Sequence, residues 1–271
     1  MVILSLFMAP GTNGFGLPQM SESEMLERLL SEDPNRTDKE PEIASSIGEQ
    51  MLLMGLRTMP RSLRVRIRDI SSRVPLGNAI LVGGGIGHLS AWLFDLWCGV
   101  PTDENQNARP RPDSFIIVEE GARFGVIIDR LIRRYNAETW SRVIAKPWSE
   151  ITAEVTSWSA AAASLPSSAR PSDIPLPVSL VIVDLPDSER SAAASSAFDI
   201  LSPDGLLIVP EPEVPTGDVG VPDEGQEPTE AQTKVIAFNQ WISFIRRVSD
   251  NHSVSFVELS GGTLAVIRRI A

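Results

Sequence analysis

From residue 41 onward, apolar positions follow two alternating periods. Ile43, Ile47, Met51 and Met54 recur at helical spacing, and a second helix-like piece covers residues 61–72. Short apolar runs then appear at 79–82, 114–118, 142–145, 178–183 and 205–209, each of strand length. Helical patterns separate them. Residues 88–97 carry apolar Leu89, Leu93 and Leu96. Residues 122–135 place Phe124, Ile127, Ile128, Leu131 and Tyr135 on one face. Residues 188–201 form a further helix, and residues 231–248 turn Val235, Phe238, Ile242 and Ile245 inward. The chain closes with SVSFVELS, a Gly261-Gly262 turn and TLAVIRRI, the signature of a β-hairpin.

Strands that are apolar throughout and alternate with helices belong to a parallel sheet covered on both faces. The fold predicted is therefore α/β: a Rossmann-like, doubly wound, mostly parallel sheet with a C-terminal antiparallel β-hairpin. Residues 41–271 form this domain. Residues 1–40, rich in Gly, Pro, Ser and charge, are expected to be a partly loose extension with a short helix near 22–30. Insertions at 101–113, 158–177 and 212–229 read as surface loops, either lids or excursions.

Composition narrows the function. The chain has 271 residues, 42% of them hydrophobic, and a net charge of −11, which repels phosphate backbones and argues against nucleic acid as a partner. Arg57, Arg61, Arg64, Arg66 and Arg68 cluster locally and are expected on a solvated helix face. Cys98 is the only cysteine, so no intrachain disulfide forms; beside Leu96 and Trp97 it reads as a buried thiol. Two histidines, His88 and His252, are too few for a His-rich metal site. The N-terminal MVILSLFMAP lacks the positive flank of a signal peptide, and no apolar run approaches the roughly 18 residues of a membrane span. A cytoplasmic protein with no membrane partner is expected.

The densest chemical signal is ILVGGGIGHLS, residues 80–90. It joins the first strand to its helix, where ligands of doubly wound sheets bind. A dinucleotide fingerprint would place a third glycine where His88 stands, whereas G-x-G-x-G fits directly as Gly83, Gly85 and Gly87. Glu119 and Glu120 follow the second strand. Glu119, the first residue past it, is placed either to hold ribose hydroxyls or to serve as an ordinary strand-end acid. It lies 36 positions after Gly83, beyond the usual spacing of about 20, and the insertion at 101–113 accounts for much of the excess.

Together these motifs resemble the class I S-adenosylmethionine-dependent methyltransferases, in particular the catechol and caffeoyl-CoA O-methyltransferase group. The resemblance runs from about Glu42 to Arg269. EIASSIGEQMLLMGL is similar to the family's helix before the first strand, with Gly48 at a recurring glycine. ILVGGGIGHLS resembles its cofactor loop and FIIVEE its ribose-acid strand. VSLVIVDLPD resembles the strand ending in Asp-Ala-Asp-Lys, LSPDGLLIV the next turn and strand, and KVIAFNQWI the late helix.

The resemblance implies S-adenosylmethionine as cofactor, a small-molecule acceptor, O-methyl transfer and, in many members, a homodimer. It places Gly83, Gly85, Gly87, His88, Glu119 and Trp148 at the cofactor and makes Asp184 the catalytic carboxylate. Trp148 would stack on adenine or pack in the core. His88 would touch ligand or pack at the helix start. The family's other acids are replaced. Leu81 stands two residues before the first glycine, Pro147 after the third strand, Pro186-Asp187 in place of Asp-Lys, and Pro210-Glu211 in place of Asp-Asn. Asp184 and Glu211 alone remain for a divalent metal, so none is expected. The alternative is a methyltransferase fold kept as a binding or regulatory subunit, its chemistry eroded. A nicotinamide-dependent oxidoreductase is disfavoured by His88 and the terminal hairpin.

Overall fold

The computed structural model describes residues 21–34, 36–74, 77–99, 110–161, 173–217, 219–220 and 227–270. Expectations for residues 1–20, and for most of the insertions at 101–113 and 158–177, lie outside these residues, as do 218 and 221–226 within the third insertion. Three helices precede the first strand: α1 (Glu22–Leu30), α2 (Glu42–Leu53) and α3 (Arg61–Ser71). Strands β1 (Asn78–Val82), β2 (Ser114–Val118), β3 (Ser141–Ile144), β4 (Val178–Val183) and β5 (Leu201–Pro210) alternate with α4 (His88–Cys98), α5 (Ala122–Arg134), α6 (Trp148–Ala161) and α7 (Asp187–Asp199). Helix α8 (Glu230–Ser249) leads to the hairpin of β6 (Ser253–Leu259) and β7 (Gly262–Arg268).

The seven strands are ordered β3-β2-β1-β4-β5-β7-β6. The first five run parallel, and β7 is antiparallel to both β5 and β6. This is the predicted doubly wound sheet with its terminal hairpin. Its two faces follow from the alternation of side chains along each strand. Ala79, Leu81, Ile117, Ile182 and Ile208 face a core shared with α2 to α5. Ile80, Val82, Val118, Val183 and Val209 face a second core closed by α6, α7 and α8. Leu26 of α1 joins the first core. Among the described residues no helix is long and apolar enough to cross a membrane.

Several expectations change in detail. Helix α6 was not anticipated, and it carries residues 158–161 of the supposed second insertion. In α5, Ile127 is 36% exposed, because Ile128, Leu131 and Ile132 define the buried stripe. In α8 the buried positions are Ala237, Trp241, Phe244 and Val248, while Val235, Phe238, Ile242 and Ile245 are half-buried shoulders. Seating of the large Trp241 ring fixes this rotation: its Nε1 donates to Glu211 Oε1 at 3.0 Å.

The largest correction concerns the arginines. Arg64 and Arg66 are buried rather than on a solvated face. Arg66 pairs with Asp69 and donates to the Leu30 carbonyl, and Arg73 reaches the other Asp69 oxygen at 2.7 Å and the Leu29 carbonyl at 3.1 Å. These side chains tie α1 to α3 by satisfying the last carbonyls of α1. Removing the shared acid would leave a buried guanidinium without its counter-charge. Asp69→Ala is expected to destabilise the fold by about 3–5 kcal/mol. Urea unfolding of the variant against wild type measures this, and a difference below about 1 kcal/mol would contradict it.

Candidate functional site

The order of strands reverses between β1 and β4, and the loops after these two strands open a crevice of the kind in which such sheets bind ligands. Asp184 N donates to Val82 O at 2.7 Å, so the end of β4 is held level with the start of the glycine loop. Gly83 N and Gly84 N both donate to Val118 O at 3.0 Å, which adds the end of β2. The result is a cleft of about 380 Å³.

Each glycine of the loop has a different task. Gly83 (φ +89°) passes so close to the β4 turn that a Cβ would lie 2.2 Å from the Asp184 carbonyl oxygen. Gly87 (φ +93°) is the N-cap of α4, and a Cβ there would meet Leu131 at 2.8 Å. A Cβ at Gly84 would lie 2.7 Å from both Ile117 and Ile128. Gly85 differs: its φ is +53°, yet a Cβ would meet nothing within 4 Å. Three glycines are thus needed for packing, and Gly85 faces the open cleft.

Glu119 stands opposite, as expected. Its Oε2 accepts from Gly85 N at 2.6 Å and its Oε1 from Gly121 N at 2.9 Å. The carboxylate therefore fixes the apex of the glycine loop, and each of its oxygens keeps a lone pair that these bonds do not use. Trp148 lies at the cleft wall at the start of α6, mostly buried in the second core. Its Nε1 donates to Ser196 Oγ at 2.8 Å, so the polar edge of the indole points away toward α7.

His88 is buried and lines the cleft, but neither ring nitrogen is free. Arg64 Nη1 lies 3.3 Å from Nδ1, and Glu40 Oε1 lies 3.2 Å from Nε2. Burial and the Arg64 charge push its pKa down, against the pull of Glu40, so the imidazole is neutral at pH 7. With Nε2–H donating to Glu40, Nδ1 accepts from Arg64. Arg64 and Glu40 complete the triangle at 3.0 Å. His252, at the far end of the chain, accepts from Ile270 N at 3.2 Å and packs on Phe198.

Asp184 sits where β4 ends, on the cleft floor. Burial raises its carboxyl to a pKa of about 6, although Arg190, Arg57 and Arg64 oppose this. Arg190 is the residue that the sequence reading missed. Its Nε and Nη2 donate to Leu185 O at 3.1 and 2.8 Å, and its Nη1 donates to Glu211 O at 3.0 Å and pairs with Asp187 at 2.9 Å. One buried guanidinium thereby bridges the turns after β4 and β5. The only available hint was a lone cation in the small-residue helix SERSAAASSA.

The residues do not fit a divalent cation. Glu211 turns its carboxylate to Trp241. Burial would raise the Asp187 carboxyl, but the Glu213 N–H and the Arg190 and Arg57 charges hold it below the usual range, and all three contacts engage it. Of the three acids Asp184, Asp187 and Glu211, Asp184 alone lines the cleft. Among the described residues no group of three His, Cys, Asp or Glu side chains converges.

The glycine geometry predicts opposite behaviour at two neighbouring positions. Gly83→Ala should cost about 2–4 kcal/mol, from the clash with Asp184 O and a strained φ. Gly85→Ala should cost only about 1 kcal/mol, from φ alone. Thermal unfolding of both variants measures the contrast; equal losses would contradict the loop geometry.

No family model matches the sequence, and no curated protein sequence does either. Solved structures do match in fold. The O-methyltransferase TomG from Streptomyces achromogenes, in complex with SAM, aligns at TM-score 0.54 and 12% identity over 92% of this chain and 96% of its own. An O-methyltransferase from Bacillus cereus, in complex with SAH, gives the same values. A Corynebacterium glutamicum protein aligns at TM-score 0.58 and 12% identity over 93% of this chain and 98% of its own. The chain thus has the Rossmann-like fold of the class I S-adenosylmethionine-dependent O-methyltransferases.

Proposed function

We propose that this protein is a methyltransferase that binds S-adenosylmethionine and transfers its methyl group to an oxygen of a small-molecule acceptor, without a divalent metal. The observation that carries this reading is the cleft at the β1/β4 reversal. There the open face of Gly85, the carboxylate of Glu119 and the carboxylate of Asp184 converge. The solved relatives of this fold that hold SAM or SAH support the choice of ligand.

When bound, S-adenosylmethionine supplies a methyl group on a positively charged sulfur, an electrophile that needs no metal. The chain's residues bind and orient. Gly85 leaves the loop bare where it faces the cleft, Gly83 and Gly87 let its two ends pack closely enough to form it, and Glu119 offers its remaining lone pairs to ribose hydroxyls. Trp148 supplies an apolar wall. His88, neutral and held by Arg64 and Glu40, contributes ring surface rather than a proton. Asp184 takes the proton from the acceptor hydroxyl, and its raised pKa suits a general base working near neutrality. Arg190 holds the turn that carries it.

A second reading, a binding or regulatory subunit without catalysis, is favoured by one observation. Both oxygens of Glu119 already accept backbone N–H groups. The two readings separate on transfer of labelled methyl from S-adenosylmethionine to a panel of phenolic and aliphatic hydroxyl acceptors. Transfer is expected, and EDTA should leave its rate unchanged; strong inhibition reversed by Mg²⁺ would contradict the metal-free reading.

Asp184 also fixes the pH dependence. A base must be ionised, so kcat/KM should rise through a pKa of about 6. Asp184→Asn should lose that limb and about 10²–10⁴-fold of the rate. The folded pKa lies above the ordinary aspartate value of 3.8, so ionisation opposes folding: the stability present below pH 4 is lost as pH rises through about 6. Asp184→Asn should therefore be more stable than wild type at pH 8, with the gap closing below pH 4. Unfolding curves at the two pH values check this, and a variant less stable at pH 8 would contradict the burial of the charge.

A further inference from the structure

The cations at the cleft differ in how much of their hydrogen-bonding capacity is already used. Arg57, Lys146 and Arg190 line it. Arg190 is buried, and all three of its guanidinium nitrogens donate to backbone carbonyls of the turns after β4 and β5. Lys146 Nζ is shared by Glu154 at 3.1 Å and Asp173 at 3.2 Å. Arg64, behind the wall, is taken up by Met59 O, His88 and Glu40. Arg57 stands apart. Its side chain is 69% exposed, and its one hydrogen-bond partner among the described residues is Asp187, with Nη1 3.4 Å from Oδ1. Most of its fork of N–H donors is unused.

The position of Arg57 is fixed by its neighbours. Leu56 N donates to Met51 O at 2.9 Å on one side, and Arg64 Nη1 donates to Met59 O at 2.8 Å on the other. From there the side chain reaches the turn that carries Asp184, and it lines the cleft together with Asp184, Leu185 and Pro186. Asp187 does not depend on it. Asp187 Oδ2 accepts from Glu213 N at 2.9 Å, and Oδ1 pairs with Arg190 at 2.9 Å. Arg57 is the third and longest contact. An anion that enters the cleft can therefore take the guanidinium from Asp187 without stranding a half-buried carboxylate. A planar fork of N–H donors matches a carboxylate through two parallel hydrogen bonds.

We infer that Arg57 determines acceptor specificity and that the acceptor is a hydroxy acid: its hydroxyl is directed at Asp184, and its carboxylate is taken by the Arg57 guanidinium, which leaves Asp187 to Arg190. The inference rests on the methyltransferase reading and narrows its substrate class. The amino-acid end of the cofactor is a second source of a carboxylate in this cleft. The reach of Arg57 to the turn of the proposed base assigns it to the acceptor. The chain carries a net charge of −11 and gives an anion no long-range attraction, so selection for the carboxylate falls on this contact.

The test titrates hydroxy acids calorimetrically into the full-length protein saturated with S-adenosylhomocysteine. The probes are 3-hydroxybenzoate, 4-hydroxybenzoate and 4-hydroxyphenylacetate, each against its uncharged amide. In wild type at least one acid should bind about tenfold more tightly than its amide. Arg57→Gln should bring that ratio to about one, and Arg57→Lys should keep part of it, because the charge stays and the fork is lost. Both variants should keep the wild-type affinity for S-adenosylhomocysteine and the wild-type thermal midpoint, since the side chain is exposed. No binding of any acid, equal binding of acid and amide, or an unchanged ratio in Arg57→Gln would overturn the inference. So would weaker S-adenosylhomocysteine binding by Arg57→Gln with unchanged binding of 5′-methylthioadenosine, which lacks the amino-acid carboxylate, because the guanidinium would then hold the cofactor. Failure of S-adenosylhomocysteine to bind wild type would instead sink the methyltransferase reading, and this inference with it.

Discussion

The structure depends on one close approach, that of Gly83 to the backbone of Asp184. The two strands that diverge at the centre of the sheet end side by side, and only a residue without a side chain can pass between their turns. The bond from Asp184 N to Val82 O locks the contact. Everything functional is placed by it. The glycine loop is directed across the sheet ends toward Glu119, and the Asp184 carboxyl is pressed onto the floor of the same cleft. Burial there raises its pKa, which makes a strand-end acid into a candidate base.

Around that contact, charge has been rearranged rather than removed. Of the acids that the family resemblance implies, the one at the adenine is Pro147 here and two at the metal are Pro186 and Pro210, while Glu211 faces Trp241. A buried guanidinium, Arg190, bridges the turns after β4 and β5 through backbone carbonyls. A fixed cation of this kind holds the loops together without exchangeable ligands. The walls of the cleft also carry the apolar side chains of Met51, Met59 and Leu185.

The fold was legible because it rests on patterns of fixed period. Continuous apolar runs such as SFIIV and VSLVIV must be buried on both faces, and the observed strands β2 and β4 coincide with them. The glycine loop was legible for a similar reason: positive φ at Gly83, Gly85 and Gly87 leaves a compositional trace. What stayed hidden is set by tertiary pairing. Arg64 and Arg66 read as solvated, since nothing local shows that Glu40 will meet Arg64 or that the Leu30 carbonyl will draw the Arg66–Asp69 pair into the interior. The rotation of α8 was off by one position because Trp241 decides it through a partner, Glu211, 30 residues away. Helix α6 was missed because WSEITAEVTSWSAA has a weak apolar stripe and runs into small residues. His88 was recognised at the cleft, but its Arg64 and Glu40 partners, which occupy both nitrogens, leave no mark in sequence.

The central claim is that the cleft over the glycine loop takes an adenosyl ligand. Calorimetric titration with S-adenosylhomocysteine, run on wild type and on folded Gly85→Val, tests it most directly. One-to-one binding by wild type is expected, with no heat from the variant, whose branched side chain would stand in the cleft. Absence of binding by wild type at millimolar ligand, or equal binding by Gly85→Val, would contradict the claim.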